Sequence, residues 1–298
     1  MTSGTSRAVL GPPSEPVVEP GETPLETRPV RLEAADAAVF ETFVVPRYLS
    51  AFGELAVSML AASDEAQVAH VDCRTGYPDA EIAERLPGSH VFGCDSSISA
   101  IELARAKAAT RPELVGDYRL STGARPTPFP AGAFSHALCL HPLSRPEDRA
   151  LLFTELHRLL APNGQALVAM PLRGSFAELA DLLREYALKH EAVPLMDAVD
   201  RASFARPTVE LFAAELERTG FGFVDVELRT TQLEWRSGRD FHEDPVARLV
   251  LFPEFRAQLG VDDLDGAWAY VRDAIDKYWS DASFELTVNV GCASGRKL

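Results

Sequence analysis

Cysteine is scarce in this chain, and the four present, Cys73, Cys94, Cys139 and Cys292, are scattered with no CxxC pair. That spacing gives no sign of a zinc or dithiol redox centre, so the expectation is buried free thiols and no metal site. Long apolar runs are missing as well. No stretch approaches the roughly 18 to 20 uninterrupted apolar residues that span a bilayer. The N-terminus also lacks the basic-then-apolar pattern of a secretory signal, so a cytoplasmic protein is expected. Basic residues are outnumbered, with 29 Lys and Arg against 44 Asp and Glu and a formal net charge of -15. Such a surface repels phosphate backbones and anionic lipid, which argues against nucleic acid or membrane as partner. No GxGxxG follows the first predicted strand, which sets a nicotinamide dehydrogenase aside.

What is present is a globular composition, 298 residues of which 46% are hydrophobic and 24% charged. Residues 1–31 are rich in Pro, Glu, Thr and Ser and read as a disordered tail, dispensable for folding. Residues 32–66 repeat their apolar positions at helical spacing through Val39, Phe40, Phe43, Val44, Leu49, Phe52 and Leu55. Pro46 interrupts that pattern, which predicts two helices. From Gln67 onward, short β-branched runs alternate with amphipathic ones. Strands are predicted at 68–72, 90–95, 115–120, 136–140 and 165–170, and helices at 78–86, 97–109, 146–160, 178–189 and 209–218. A Ser99/Glu102 capping box is expected to open the second of these helices. Two further strands, 222–229 and 284–290, flank an aromatic-rich helical insertion at about 230–282. The βαβα rhythm implies an α/β, doubly wound and mostly parallel seven-stranded sheet with an antiparallel last strand, in a domain covering 67–298. The insertion is expected to cover the carboxyl edge of that sheet.

The turn after the first strand, Val68-Ala69-His70-Val71-Asp72-Cys73-Arg74-Thr75-Gly76-Tyr77, resembles the cofactor motif of class I S-adenosylmethionine (SAM) methyltransferases. That motif usually reads V-L-D-V-G-C-G-T-G-Y. The resemblance extends over Val91-Phe92-Gly93-Cys94-Asp95-Ser96-Ser97, Pro128-Phe129-Pro130-Ala131-Gly132-Ala133-Phe134 and Leu156-His157-Arg158-Leu159-Leu160-Ala161-Pro162-Asn163-Gly164, in family order. It covers roughly residues 67–171 and implies a Rossmann-like transferase with SAM as cofactor. By resemblance, Asp72, Arg74, Gly76, Asp95 and Ser96 line the cofactor, with Asp95 on its ribose hydroxyls. His141, after the fourth strand, is the candidate general base.

The departures fall on the cofactor side of the pattern. His70 replaces the usual acid, Asp72 and Arg74 replace two glycines, and the acid expected near Gly123 is absent. Asp72 adds a charge that repels the methionine carboxylate of SAM, whereas Arg74 is suited to pair with it. An ion pair between Asp72 and Arg74 is the plainer alternative, and helix capping is the plainer role for Asp95. Two functions stay open: a SAM-dependent methyltransferase of a small-molecule acceptor, or a pseudoenzyme that has lost SAM and binds a protein partner.

Overall fold

The computed structural model describes residues 31–123, 125–142, 145–261 and 263–298. The predicted tail lies outside these residues except for Arg31. The strands are β1 (Gln67–Val71), β2 (His90–Asp95), β3 (Val115–Leu120), β4 (Phe134–Leu140), β5 (Leu160–Pro171), β6 (Phe221–Trp235) and β7 (Phe284–Lys297). They form one sheet in the order β3-β2-β1-β4-β5-β7-β6. β1 to β5 are mutually parallel, while β7 runs antiparallel to both β5 and β6.

Alternation along the central strands builds two cores. Leu138, Leu140, Leu167 and Ala169 face one side, and Ala137, Cys139, Ala166 and Val168 face the other. Because both faces are covered, these strands read as nearly continuous apolar runs. Helices α5 (Pro146–Leu159) and α8 (Val209–Arg218) cover the second face through Phe153, Leu156, Phe212 and Leu216. The other face is covered by the N-terminal helices together with α6 (Ala177–Lys189) and α7 (Val193–Ala205). Sequence reading had not anticipated α7. All four cysteines are buried and unpaired.

Three details differ from expectation, each for a local reason. The N-terminal segment is one continuous helical path rather than two helices. It runs through α1 (Ala34–Val39), a wide-turned π stretch over Phe40–Leu49 and α2 (Ser50–Ser58). Pro46 lies inside the π stretch, where the widened turn accommodates its missing N–H. The helix after β2, α4 (Ile98–Ala109), is capped by Ser97, whose hydroxyl accepts from the Ala100 N–H, and not by a Ser99/Glu102 box. Finally, β6 continues to Trp235, so part of the expected helical insertion is strand.

Helices α9 (Gly238–Glu243), α10 (Phe252–Leu259) and α11 (Asp265–Tyr278), with a π turn at Ala247–Leu251, connect β6 to β7. Pro171 at the end of β5 pairs with Val290, so Phe284 to Asn289 project past the carboxyl edge of the parallel strands. The insertion therefore emerges at that edge. Trp235, Phe241, Phe255, Trp268 and Phe284 bury together to hold it there. No helix among the described residues is long and apolar enough to cross a membrane. The remaining helix, α3 (Asp79–Arg85), follows β1.

Candidate functional site

In an open α/β sheet a ligand sits beyond the carboxyl ends of the strands, where the strand order reverses. Here that point lies between β1 and β4. The loop from Asp72 to Tyr77 borders it, and its backbone keeps the left-handed turns that the glycine-rich pattern serves. φ is +54° at Asp72, +48° at Arg74 and +78° at Gly76. Glycine survives only at the position with no room, since a Cβ on Gly76 would come within 3.0 Å of Ala104 Cβ. Asp72 and Arg74 carry side chains at the other two turns, at the energetic cost of a non-glycine residue with positive φ.

Those side chains do not pair with each other. Asp72 instead forms a two-pronged ion pair with Arg125, at 2.6 Å for the shorter contact. Burial opposes the charge on Arg125, but the Asp72 carboxylate outweighs it and holds that guanidinium firmly protonated. Arg74 extends the opposite way, across the reversal point to β4. Its guanidinium donates to the carbonyls of Leu140 at 3.4 Å and His141 at 3.2 Å, and lies 5.6 Å from the Phe40 ring centre. The two substitutions thus send one arginine into each side of the crevice.

Asp95, at the end of β2, uses both carboxylate oxygens on backbone. Oδ2 accepts from the Arg74 N–H at 3.0 Å and Oδ1 from the Ser97 N–H at 2.8 Å. Burial raises its pKa, opposed by the Ser97 N–H. Beside it Ser96 is 8% exposed, and its hydroxyl has no hydrogen-bond partner among the described residues. The Ser97 hydroxyl donates to the Leu32 carbonyl at 2.7 Å, which brings the N-terminal segment over the end of β2. Lys107, on α4, ties the same segment down by pairing with Glu41 at 2.6 Å while donating to the Thr75 carbonyl.

His70 lies beneath the loop in β1 and is buried. Its Nδ1 is 2.6 Å from Asp79 Oδ1, and Asp79 Oδ2 accepts from the Tyr118 hydroxyl at 2.8 Å. The carboxylate lost from position 70 is thereby supplied from the start of α3. Burial, and next the charge of Asp79, push the Tyr118 pKa far up, so the hydroxyl keeps its proton.

His141 also has positive φ, +52°, and its ring is enclosed rather than presented to a cleft. Nε2 lies 2.7 Å from the Tyr48 hydroxyl and 3.5 Å from Glu254 on α10. Burial lowers its pKa to about 4, Glu254 opposing this while Arg74 and Arg206 reinforce it. Tyr48 is shifted well upward by burial and then by Glu254, so its hydroxyl keeps its proton beside the neutral imidazole. Glu254 is in turn paired with Arg206 at 2.8 Å, and both are buried. A pair between Arg47 and Asp244 joins the π stretch to the insertion. Reading the sequence missed Arg125, Arg206, Glu254 and Tyr48. A hint for Arg125 was the paired change of charge: an acid gained at position 72 and one lost near position 123.

The profile of a methyltransferase domain family matches residues 69–168. Over 111 residues the chain is 33% identical to demethylmenaquinone methyltransferase of Thermus thermophilus, covering 36% of this chain and 50% of that one. The chain thus spans about half the length of the curated relative it matches. Among solved structures, the YcgJ protein of Bacillus subtilis superimposes with a TM-score of 0.52 at 12% identity, over 83% of this chain and 98% of that one. A phosphoethanolamine N-methyltransferase 2 of Haemonchus contortus, solved with S-adenosylhomocysteine, gives 0.51 at 14% identity, over 89% of this chain and 58% of that one. Likeness at such identities establishes the fold. Residues 69–168 thus match the methyltransferase domain family, and they lie on a Rossmann-like sheet.

Proposed function

We propose that this protein is a pseudoenzyme of the methyltransferase fold, a protein-interaction or regulatory module whose cofactor crevice is held closed by its own side chains. The observation that carries this reading is the course of Arg74, whose guanidinium spans from the loop after β1 to the carbonyls ending β4. As the residues stand they do not fit SAM. A fixed guanidinium in the crevice repels a sulfonium cation, and its side chain takes up the space in which backbone and ligand would touch. Asp95, the group expected on the ribose, is engaged in holding the loop, accepting from the Arg74 and Ser97 N–H groups. Calorimetric titration of the full chain with SAM and with S-adenosylhomocysteine tests the reading. The expected result is no binding heat; micromolar binding of either would refute it.

A second reading, a methyltransferase of a small-molecule acceptor, draws on two specific observations. The left-handed loop backbone is intact at residues 72, 74 and 76, and the buried Ser96 hydroxyl lacks a hydrogen-bond partner among the described residues. In that case Arg74 swings to a cofactor carboxylate, and Gly76, Asp95 and Ser96 line the rest. The insertion at the carboxyl edge supplies acceptor specificity in this reading and the partner surface in the first.

A further inference from the structure

β6 closes the sheet on one side, and among the described residues it pairs with β7 alone. It is 15 residues long, and alternate residues along it turn their N–H and C=O groups away from β7, where no described strand receives them. Edge strands are commonly guarded by short length, a bulge, proline or lysine. Here the register shift against β7 lies between Gly222 and Asp225, and from Asp225 to Trp235 there is neither proline nor lysine. Leu228 is 49% exposed in the middle of that stretch. Glu227 and Arg229 on either side of it are also exposed, and neither forms an ion pair among the described residues. An edge of this kind is open to a further strand.

A second copy of the chain fits that edge by symmetry and charge. Residues opposite each other in an antiparallel pair share a face, so a two-fold axis joining two β6 strands into one sheet passes through a residue and not between residues. Centred on Glu227 or on Arg229, it sets that residue against its own copy, like charge on like. Centred on Val226, it sets Asp225 against Glu227. Centred on Thr230, it leaves both Glu227 and Arg229 facing uncharged residues. Only Leu228 as the centre sets Glu227 against Arg229, twice by symmetry, with no like charges opposed, and it brings the exposed Leu228 onto its own copy. We propose that β6 pairs antiparallel with β6 of a second copy of this chain, about a two-fold axis at Leu228. β5 and β7 separate this edge from the crevice beside β4, so the pairing is independent of whether SAM binds.

The test is sedimentation equilibrium of the full chain between about 1 and about 100 μM, where a monomer–dimer equilibrium is expected. Arg229→Glu sets a carboxylate against Glu227 in both pairs, and Glu227→Arg sets a guanidinium against Arg229. Each variant alone should dimerise at least about tenfold more weakly at an unchanged urea midpoint. An equimolar mixture of the two should associate again, because every opposed pair in the mixed dimer has opposite charges. Should either variant misfold, a crosslink still decides. All four natural cysteines are buried. Leu228→Cys puts a thiol beside its own copy on the axis, within disulfide reach, and oxidised glutathione should couple the two chains. Gln232→Cys, on the same face but away from the axis, should not couple. A natural chain that stays monomeric throughout, single variants that dimerise as well as it does, a mixture that fails to associate, or equal crosslinking at 228 and 232 would each overturn the inference.

Discussion

Asp79 stands 2.6 Å from His70, and this contact explains how the fold tolerates a histidine where its relatives' pattern carries an acid. The carboxylate has moved from β1 to the first turn of α3, where it also receives the Tyr118 hydroxyl. Both partners are buried, so the arrangement is not a surface ion pair.

Reverting position 70 toward the family pattern is therefore expected to harm the protein. His70→Asp places a second carboxylate against Asp79 in a buried site, where like charges are not both tolerated. Urea unfolding is expected to show a loss of about 3 kcal/mol, the scale of a broken buried pair. The double variant His70→Asp/Asp79→Asn should recover part of that loss. An unchanged midpoint in the single variant would mean that the two side chains do not interact.

The pair between Asp72 and Arg125 is partly exposed and contributes less. A double-mutant cycle with Asp72→Ala and Arg125→Ala should give a coupling of about 1 kcal/mol, shrinking in high salt. A coupling of zero at low salt would remove Arg125 from the site.

Acid should destabilise the protein through His141. Its folded-state pKa is about 4, below the ordinary 6.5, because burial disfavours the charged ring. The unfolded chain binds the proton more readily, so the contribution is fully present above about pH 6.5 and is lost as pH falls from there toward 4. Over that window the loss is about 3 kcal/mol. His141→Gln, which cannot titrate, should flatten this part of the stability curve, measured as urea midpoints between pH 7 and pH 4. Parallel curves for the two proteins would contradict the assignment.

Much of the fold was legible in the sequence because the central strands bury both faces and the helices between them keep their apolar period. Val115–Leu120 and Val209–Arg218 stand where patterning placed them. The N-terminal helices and β6 were misjudged because a π stretch absorbs Pro46, and because Leu233 and Trp235 bury on strand spacing as readily as on helical spacing. The site was half legible. The loop substitutions were visible at Asp72 and Arg74, but their partners lie 53 residues away at Arg125 and 66 and 67 away at Leu140 and His141, distances that no local pattern encodes. Glu254 and Arg206 escaped notice for the same reason.

The most direct measurement compares SAM binding by the natural chain and by Asp72→Gly/Arg74→Gly in one calorimetric series. Restoring both glycines removes the bridging guanidinium and leaves the loop its left-handed turns. It also frees Arg125 from its partner and gives the unfolded chain more freedom, so a loss of about 1 kcal/mol or more in stability accompanies the change. The expected result is no detectable SAM binding by the natural chain and measurable binding by the double variant. Tight SAM binding by the natural chain, abolished in the double variant, would contradict the account and identify Arg74 as a cofactor ligand.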